Sequence, residues 1–325
     1  NHRYIATVPG RGYQFVAKVR IAEESPAQRE PTAGASMAVL PFVNVSADPE
    51  FDFFGDGLAD ELIIALSKVH SVRVVARTSA FSFKGTQADI RRIADTLGVN
   101  FVLEGTVRKS GTRLRVTAEL INAADGCQVW SERYDRELEM RDLFGIQDEL
   151  TRAVLNAITP NLPRTQRAAV VNHGTRNAAA HELYLKGRFH LFRMTQSGIE
   201  AGVEYFERAV EADPTYALAY VGLAHAYRMH ALSLELPPSE IGPKAQAAAL
   251  KAVALDNTLA EAHAVLAFNI YWFDWAWDTA EAHFACALEL DQDSADTLWM
   301  YAHLPSNAGR QTMSAMTSNA SARWT

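Results

Sequence analysis

Ala209-Val210-Glu211-Ala212-Asp213 returns as Ala252-Val253-Ala254-Leu255-Asp256 and again as Ala287-Leu288-Glu289-Leu290-Asp291. The match continues downstream, where Ala217, Tyr220, Leu223 and Ala224 correspond to Ala260, His263, Leu266 and Ala267. The second and third copies are 35 residues apart, and the first and second 43. The excess fits the stretch from Leu234 to Gly242, which contains Pro237 and Pro238. Small and apolar residues at helical spacing in each copy indicate stacked helices. One helix pair cannot bury its apolar face alone, so the copies must pack on one another. Residues 178–303 therefore read as an all-α solenoid.

Upstream the periodicity changes. Met37-Ala38-Val39-Leu40-Pro41-Phe42 reads as a short buried strand, and Phe54 to Val69 as an amphipathic helix with Leu58, Leu62, Ile63 and Leu66 on one face. A second strand is expected at Val72 to Ala76, then a helix from Thr86 to Leu97 closed by Gly98. Three strands follow at Phe101 to Lys109, Arg113 to Asn122 and Cys127 to Glu137, punctuated by Ser110-Gly111 and Asp125-Gly126 as in an antiparallel meander. Leu143 to Leu162 closes the unit as a helix. This order predicts a mixed sheet covered by three helices.

Residues 1–20 alternate as a β-hairpin around Pro9-Gly10-Arg11-Gly12, with Arg3, Arg11, Lys18 and Arg20 and no acid. Residues 21–36 lack apolar periodicity and read as a linker. The expected architecture is multidomain α+β: hairpin at 1–20, linker at 21–36, α/β domain at 37–162, repeats at 178–303 and an irregular tail at 304–325. The chain opens on Asn1 inside a strand-like phrase, which is read as a cut N-terminus, and past Pro305 the fourth repeat dissolves into Met, Ser, Thr, Asn and Ala, as a frameshift or truncation would produce.

Composition narrows the function classes. The 325 residues carry a formal net charge of -7, so nucleic acid cannot be coated by the whole chain and any DNA contact must be local. Cys127 and Cys286, far apart, read as free thiols of a reducing cytoplasm. No run approaches the ~20 apolar residues that span a bilayer, and a cytoplasmic location is expected.

The chemistry-bearing patterns are few. Asp56, Asp60 and Glu61 could share a proton or an ion, or could simply stabilise the start of their helix through its dipole. Gly55-Asp56-Gly57 lacks the third glycine of a dinucleotide fingerprint and the Lys-Ser/Thr of a P-loop, and there is no His-Glu-x-x-His. No catalytic residue, metal site or cofactor is expected. The aromatic run Tyr271-Trp272-Phe273-Asp274-Trp275-Ala276-Trp277 reads either as core between repeat helices or as a stacking platform.

Three resemblances attach to these segments. Tyr4-Ile5-Ala6-Thr7-Val8-Pro9-Gly10-Arg11-Gly12-Tyr13-Gln14-Phe15 resembles the C-terminal wing of the winged-helix DNA-binding domain of OmpR/PhoB-type and CadC-like bacterial regulators. It implies DNA as a partner of the complete winged-helix domain, with Arg3 and Arg11 on the DNA side. Because base readout needs an element in the major groove, a remnant wing would not supply specificity. Residues 37–160 resemble the TolB-like domain that follows such winged helices, carried by Ala38 to Phe42, Phe54 to Leu62, Val75 to Ser79, Leu103 to Val107 and Trp130 to Asp135. Ligand or partner sensing is the implied role.

Residues 178–303 are similar to tetratricopeptide repeats, with Gly187, Phe206, Ala209 and Pro214 at the characteristic places and Asn257 and Gln292 standing where later copies would carry proline. By that resemblance Val221, His225, Arg228, Ala264, Phe268 and Tyr271 face a protein or peptide partner in a groove. Together these imply a regulator fragment that is not an enzyme. The alternatives are a tetratricopeptide adaptor without DNA binding and an accessory region of a signalling enzyme such as a nucleotide cyclase.

Overall fold

The computed structural model describes residues 5–8, 12–15, 35–69, 71–86, 88–137, 142–159, 174–232, 237–292 and 294–307. The chain divides into two compact units, Asn1–Ala33 and Gly34–Thr325. In the first, strands β1 (Ile5–Val8) and β2 (Gly12–Phe15) pair antiparallel, with Ile5 opposite Phe15 and Val8 opposite Gly12. The hairpin expectation is met in these strands. Arg3 and Arg11 lie outside the described residues.

The second unit begins with a mixed sheet. Strands β3 (Ala35–Val39), β4 (Val43–Asn44), β5 (Val72–Val74), β6 (Phe101–Ser110), β7 (Arg113–Asn122) and β8 (Gln128–Glu137) are arranged in the order β5-β3-β6-β7-β8, with β4 also paired to β6. Pairs β3–β5, β3–β6 and β4–β6 are parallel, while β6–β7–β8 is the expected antiparallel meander. Strand β3 alternates between two buried faces: Met37 and Val39 enter one apolar cluster, Ala38 the other. Both sides of the sheet must therefore be covered. Helices α1 (Asp52–Ser67) and α4 (Asp142–Ile158) fill the first side, and α3 (Ile90–Leu97) the second.

Helix α3 starts four residues later than expected, because Asp89 caps it by accepting from the Arg91 N–H. It ends at Gly98, in the left-handed conformation. A short helix, α2 (Arg77–Phe81), occupies a segment that periodicity did not mark.

The remaining helices stack as antiparallel pairs: α5 (Ala178–Leu191) with α6 (Gln196–Ala212), α7 (Ala217–Leu232) with α8 (Pro238–Leu255), and α9 (Ala260–Asn269) with α10 (Trp277–Leu290), followed by α11 (Ala295–Asn307). The repeated pentapeptides form the ends of α6, α8 and α10. Each finishes on an aspartate with extended backbone, Asp213, Asp256 or Asp291, whose N–H bonds the carbonyl of Ala209, Ala252 or Ala287. The sequence repeat is thus a structural one, down to the cap.

Phe206, fully buried, explains two glycines. A Cβ on Gly187 would lie 2.8 Å from its ring, and one on Gly222 would collide with the same ring. Helices α5 and α7 approach α6 closely because neither carries a side chain there. Helix α11 runs through Pro305 to Asn307, so the helical pattern outlasts the point at which its periodicity fades; residues 308–325 lie outside the described set.

The packing has no break between the sheet layer and the repeats. A single apolar cluster includes Leu62, Leu103 and Leu150 of the α/β layer together with Leu185, Phe206 and Phe268 of the helical pairs. Helix α1 lies against α5, with Leu185 filling the space over Gly57.

Candidate functional site

The acids of α1 organise this junction. Only Asp52 sits in the first helical turn, so Asp56, Asp60 and Glu61 do not open the helix as expected, and its dipole, which fades beyond that turn, does not account for them. All three are buried and are met by partners from elsewhere in the fold. Asp56 accepts two hydrogen bonds of 2.7 Å from Lys84. Burial nevertheless raises its pKa above the usual carboxylate value, against the pull of that lysine. Glu61 accepts from the Gln147 amide of α4 at 3.1 Å.

Asp60 is 3% exposed and is shared by two guanidiniums, Arg188 of α5 at 2.6 Å and Arg77 of α2 at 3.4 Å. Arg77 also lies over the rings of Phe81 and Phe192 at 3.9 and 3.7 Å. Arg188 donates to the Tyr184 hydroxyl at 2.9 Å. Loss of hydration is the largest influence on both arginines. For Arg188 the opposing fields of Asp60, Tyr184 and Glu61 outweigh it and push the pKa up, while for Arg77 burial prevails and the pKa falls. Both remain cations at neutral pH.

A buried ion cluster that joins three elements strongly specifies how they dock, although its net contribution to stability is small. Asp60 ties the α/β layer to the first repeat helix through Arg188, while Asp56 and Glu61 bond Lys84 and Gln147 within the layer. Among the described residues no group of three or more His, Cys, Asp or Glu is placed to hold a metal ion.

The groove residues are divided by the structure. Val221 and His225 of α7 are half-buried. Ala264, Phe268 and Tyr271 of α9 and the turn after it are buried at 0, 1 and 7% exposure, and this corrects the expectation that they line an open groove. Phe268 is enclosed by Tyr271, Phe284, Trp299 and His303 with ring separations of 5.8, 6.5, 5.9 and 5.5 Å. Helix α11 brings Trp299 and His303 onto the α9 face, and no isolated repeat contains that contact. Arg228 is also buried, with its guanidinium carbon 4.5 Å from the centre of the Phe268 ring. Loss of hydration lowers its pKa to about 10. His225 is held well below its ordinary value by loss of hydration, and further by the nearby charges of Arg228 and Arg188.

The aromatic run forms a π-helical turn, Ile270–Asp274, in which Tyr271 packs inward. Trp272 and the left-handed Trp275 are exposed, so core filling describes only part of the run. Cys127 and Cys286 are free thiols, and no described helix is long and apolar enough to cross a membrane.

Residues 33–153 match the HilA/YgeH-like transcriptional regulator, second domain. The chain is 38% identical over 204 residues to a putative adenylate cyclase 3 of Rhizobium meliloti, covering 63% of this chain and 34% of that protein. It is 22% identical over 267 residues to the transcriptional regulator HilA of Salmonella typhimurium, covering 82% of this chain and 46% of that one. The chain thus spans less than half the length of these curated relatives. Among solved structures, TolB from Acinetobacter baumannii is similar over 39% of this chain and 29% of its own, at 14% identity and a TM-score of 0.30. The first TPR of Spaghetti, bound to an HSP90 peptide, is similar over 42% of this chain and 99% of its own, at 14% identity and a TM-score of 0.33. Superpositions this partial do not assign a fold.

The α/β layer therefore resembles a regulator domain at the level of sequence. Sequence reading missed the junction. Arg77 and Arg188 belong to segments far apart in the chain, and nothing in their spacing signals a common carboxylate.

Proposed function

We propose that this chain is the sensing and scaffold portion of a bacterial transcriptional regulator that makes and breaks no covalent bond. The observation that carries the reading is the match of residues 33–153 to a regulator domain. In this account the α/β layer is TolB-like and the helical pairs are tetratricopeptide repeats that collect a protein or peptide partner. The amino-terminal hairpin is the wing of a winged-helix domain, with Arg3 and Arg11 toward DNA phosphate. The protein works in the cytoplasm, where its DNA is.

The junction supplies the mechanism. A partner that alters α5 or α7 acts on Arg188, and Arg188 shares Asp60 with Arg77, so the repeats and the α/β layer cannot shift independently without separating a buried ion cluster. The test is a mobility shift with the full-length gene product and with this chain, on the upstream region of the gene at fixed salt. Specific binding by the long form alone is expected, and failure of both to bind overturns the reading.

A second reading is favoured by one observation, the 38% identity to a protein named as a putative adenylate cyclase. In that case these modules accompany a catalytic domain of a signalling enzyme. Conversion of ATP to cyclic AMP by the full-length product would decide for it.

A further inference from the structure

Strand β8 ends the sheet order, and among the described residues no strand pairs with its outer side. It is ten residues long, whereas β5, at the opposite end of the order, has three. Along a free edge every second residue turns an N–H and a C=O outward, a template that proteins blunt by shortness, proline, a bulge or charge. Strand β5 is short. Strand β8 contains no proline, and its irregularity lies near one end, opposite Leu120 and Ile121, so the stretch from Trp130 to Glu137 pairs regularly with β7. From Ser131 to Glu137 only Tyr134 is buried, and the other six residues are exposed. Charge is the protection that remains there, and its order is self-complementary. Glu132-Arg133-Tyr134-Asp135-Arg136 reads acid, base, tyrosine, acid, base, and in the reverse direction base, acid, tyrosine, base, acid. An antiparallel copy laid alongside with the two Tyr134 residues opposite each other sets Glu132 against Arg136 and Arg133 against Asp135, each pair occurring twice about the two-fold axis. With the α4 side of both copies facing the same way, the neighbouring registers centre on Arg133 or Asp135 and set that charge against itself.

We propose that β8 is a docking edge for a second copy of this chain, which adds antiparallel about Tyr134 and continues the sheet. The inference stands apart from the regulator reading, because it uses only the strand and its charges. The present partners of those charges are surface ones. Asp135 pairs with Arg115 at 3.1 Å and with Arg133 at 3.8 Å, Arg136 pairs with Glu149 at 3.0 Å, and Glu132 accepts from the Tyr134 hydroxyl at 2.9 Å. Exposed pairs of this kind hold little energy, and a carboxylate has lone pairs for a second cation. Pairing across the edge therefore extends an ion ladder without dismantling a buried cluster. Backbone hydrogen bonds would supply the attraction, and the charge order would select the register.

The test is sedimentation equilibrium of the whole chain over about 1–200 μM, the range in which a small interface populates its dimer. Reversible dimerisation that weakens as salt is added is expected. Arg133→Glu sets an acid against Asp135 of the second copy at both pairs, and Asp135→Arg sets a base against Arg133. Each variant alone should dimerise about 10- to 100-fold more weakly than the parent, since two opposite-charge pairs become like-charge pairs. In an equal mixture of the two variants every acid again meets a base, so a heterodimer of near-parental affinity should form. Both positions are exposed, and circular dichroism checks that each variant is folded. Arg208→Gln, which alters an exposed arginine of the repeats paired with Glu204, should leave dimerisation unchanged. A parent chain that stays monomeric throughout the range overturns the proposal, as does a dimer that either edge variant leaves intact. A mixture that stays monomeric also overturns it, because recovery on mixing requires Arg133 to lie opposite Asp135.

Discussion

Replacing Asp60 by Asn keeps the volume of the side chain and removes its charge at the centre of the junction. Arg188 at 2.6 Å and Arg77 at 3.4 Å would then be two largely buried cations deprived of the carboxylate they share, each already within the other's field. Breaking a buried ion pair by removing one partner costs about 3–5 kcal/mol. For a chain of this size each kcal/mol shifts the melting temperature by about 2–4 °C, so a fall of roughly 6–20 °C is expected. Circular dichroism on heating and in urea would measure it. The triple substitution Asp60→Leu, Arg77→Met, Arg188→Met should recover part of the loss, because apolar groups of similar volume replace the three paired charges together. A change within about 1 kcal/mol for Asp60→Asn, the range of a surface ion pair, would refute the argument that this carboxylate holds the junction.

Gly57→Phe should force α1 from α5, since Leu185 already occupies the space at 3.1 Å from a Cβ placed there; faster limited proteolysis between the α/β layer and α5 is the readout. Phe268→Ala should cost about 3–5 kcal/mol in urea unfolding, because the ring is enclosed by residues of α10 and α11 that cannot close the cavity. His225 is neutral in the folded chain and takes up a proton near pH ~6.5 when unfolded. Its contribution to stability is therefore complete above that pH and is lost as the pH falls toward its lower folded value, and His225→Gln should flatten the acid side of a stability-against-pH curve. Gly222→Val should unfold the first repeat by driving a side chain into the Phe206 ring, which would appear as loss of helical signal on mild heating.

Local patterns carried a large share of the architecture. The meander from Phe101 to Glu137 was legible because alternation and turn glycines are properties of adjacent residues, and β7 has the bounds its sequence implies. The repeat register was legible for the same reason, as the caps at Asp213, Asp256 and Asp291 show. Helix α2 was not, since its five residues are too few to display a period.

The candidate site followed the opposite rule. Asp56, Asp60 and Glu61 stood out as a group of acids, but their purpose depends on cations supplied by Lys84, Arg77 and Arg188 and on an amide from Gln147. The resemblance to tetratricopeptide repeats put Phe268 of α9 in a groove, but Trp299 and His303 arrive from α11 to cover it. By itself the sequence determined the longer strands and helices, where the repeats begin again and which faces are apolar, because those follow from the period of side chains along a chain. The tertiary structure alone decided which charges meet and which groove positions are closed, because hydration is lost and ion pairs form only where distant segments pack together.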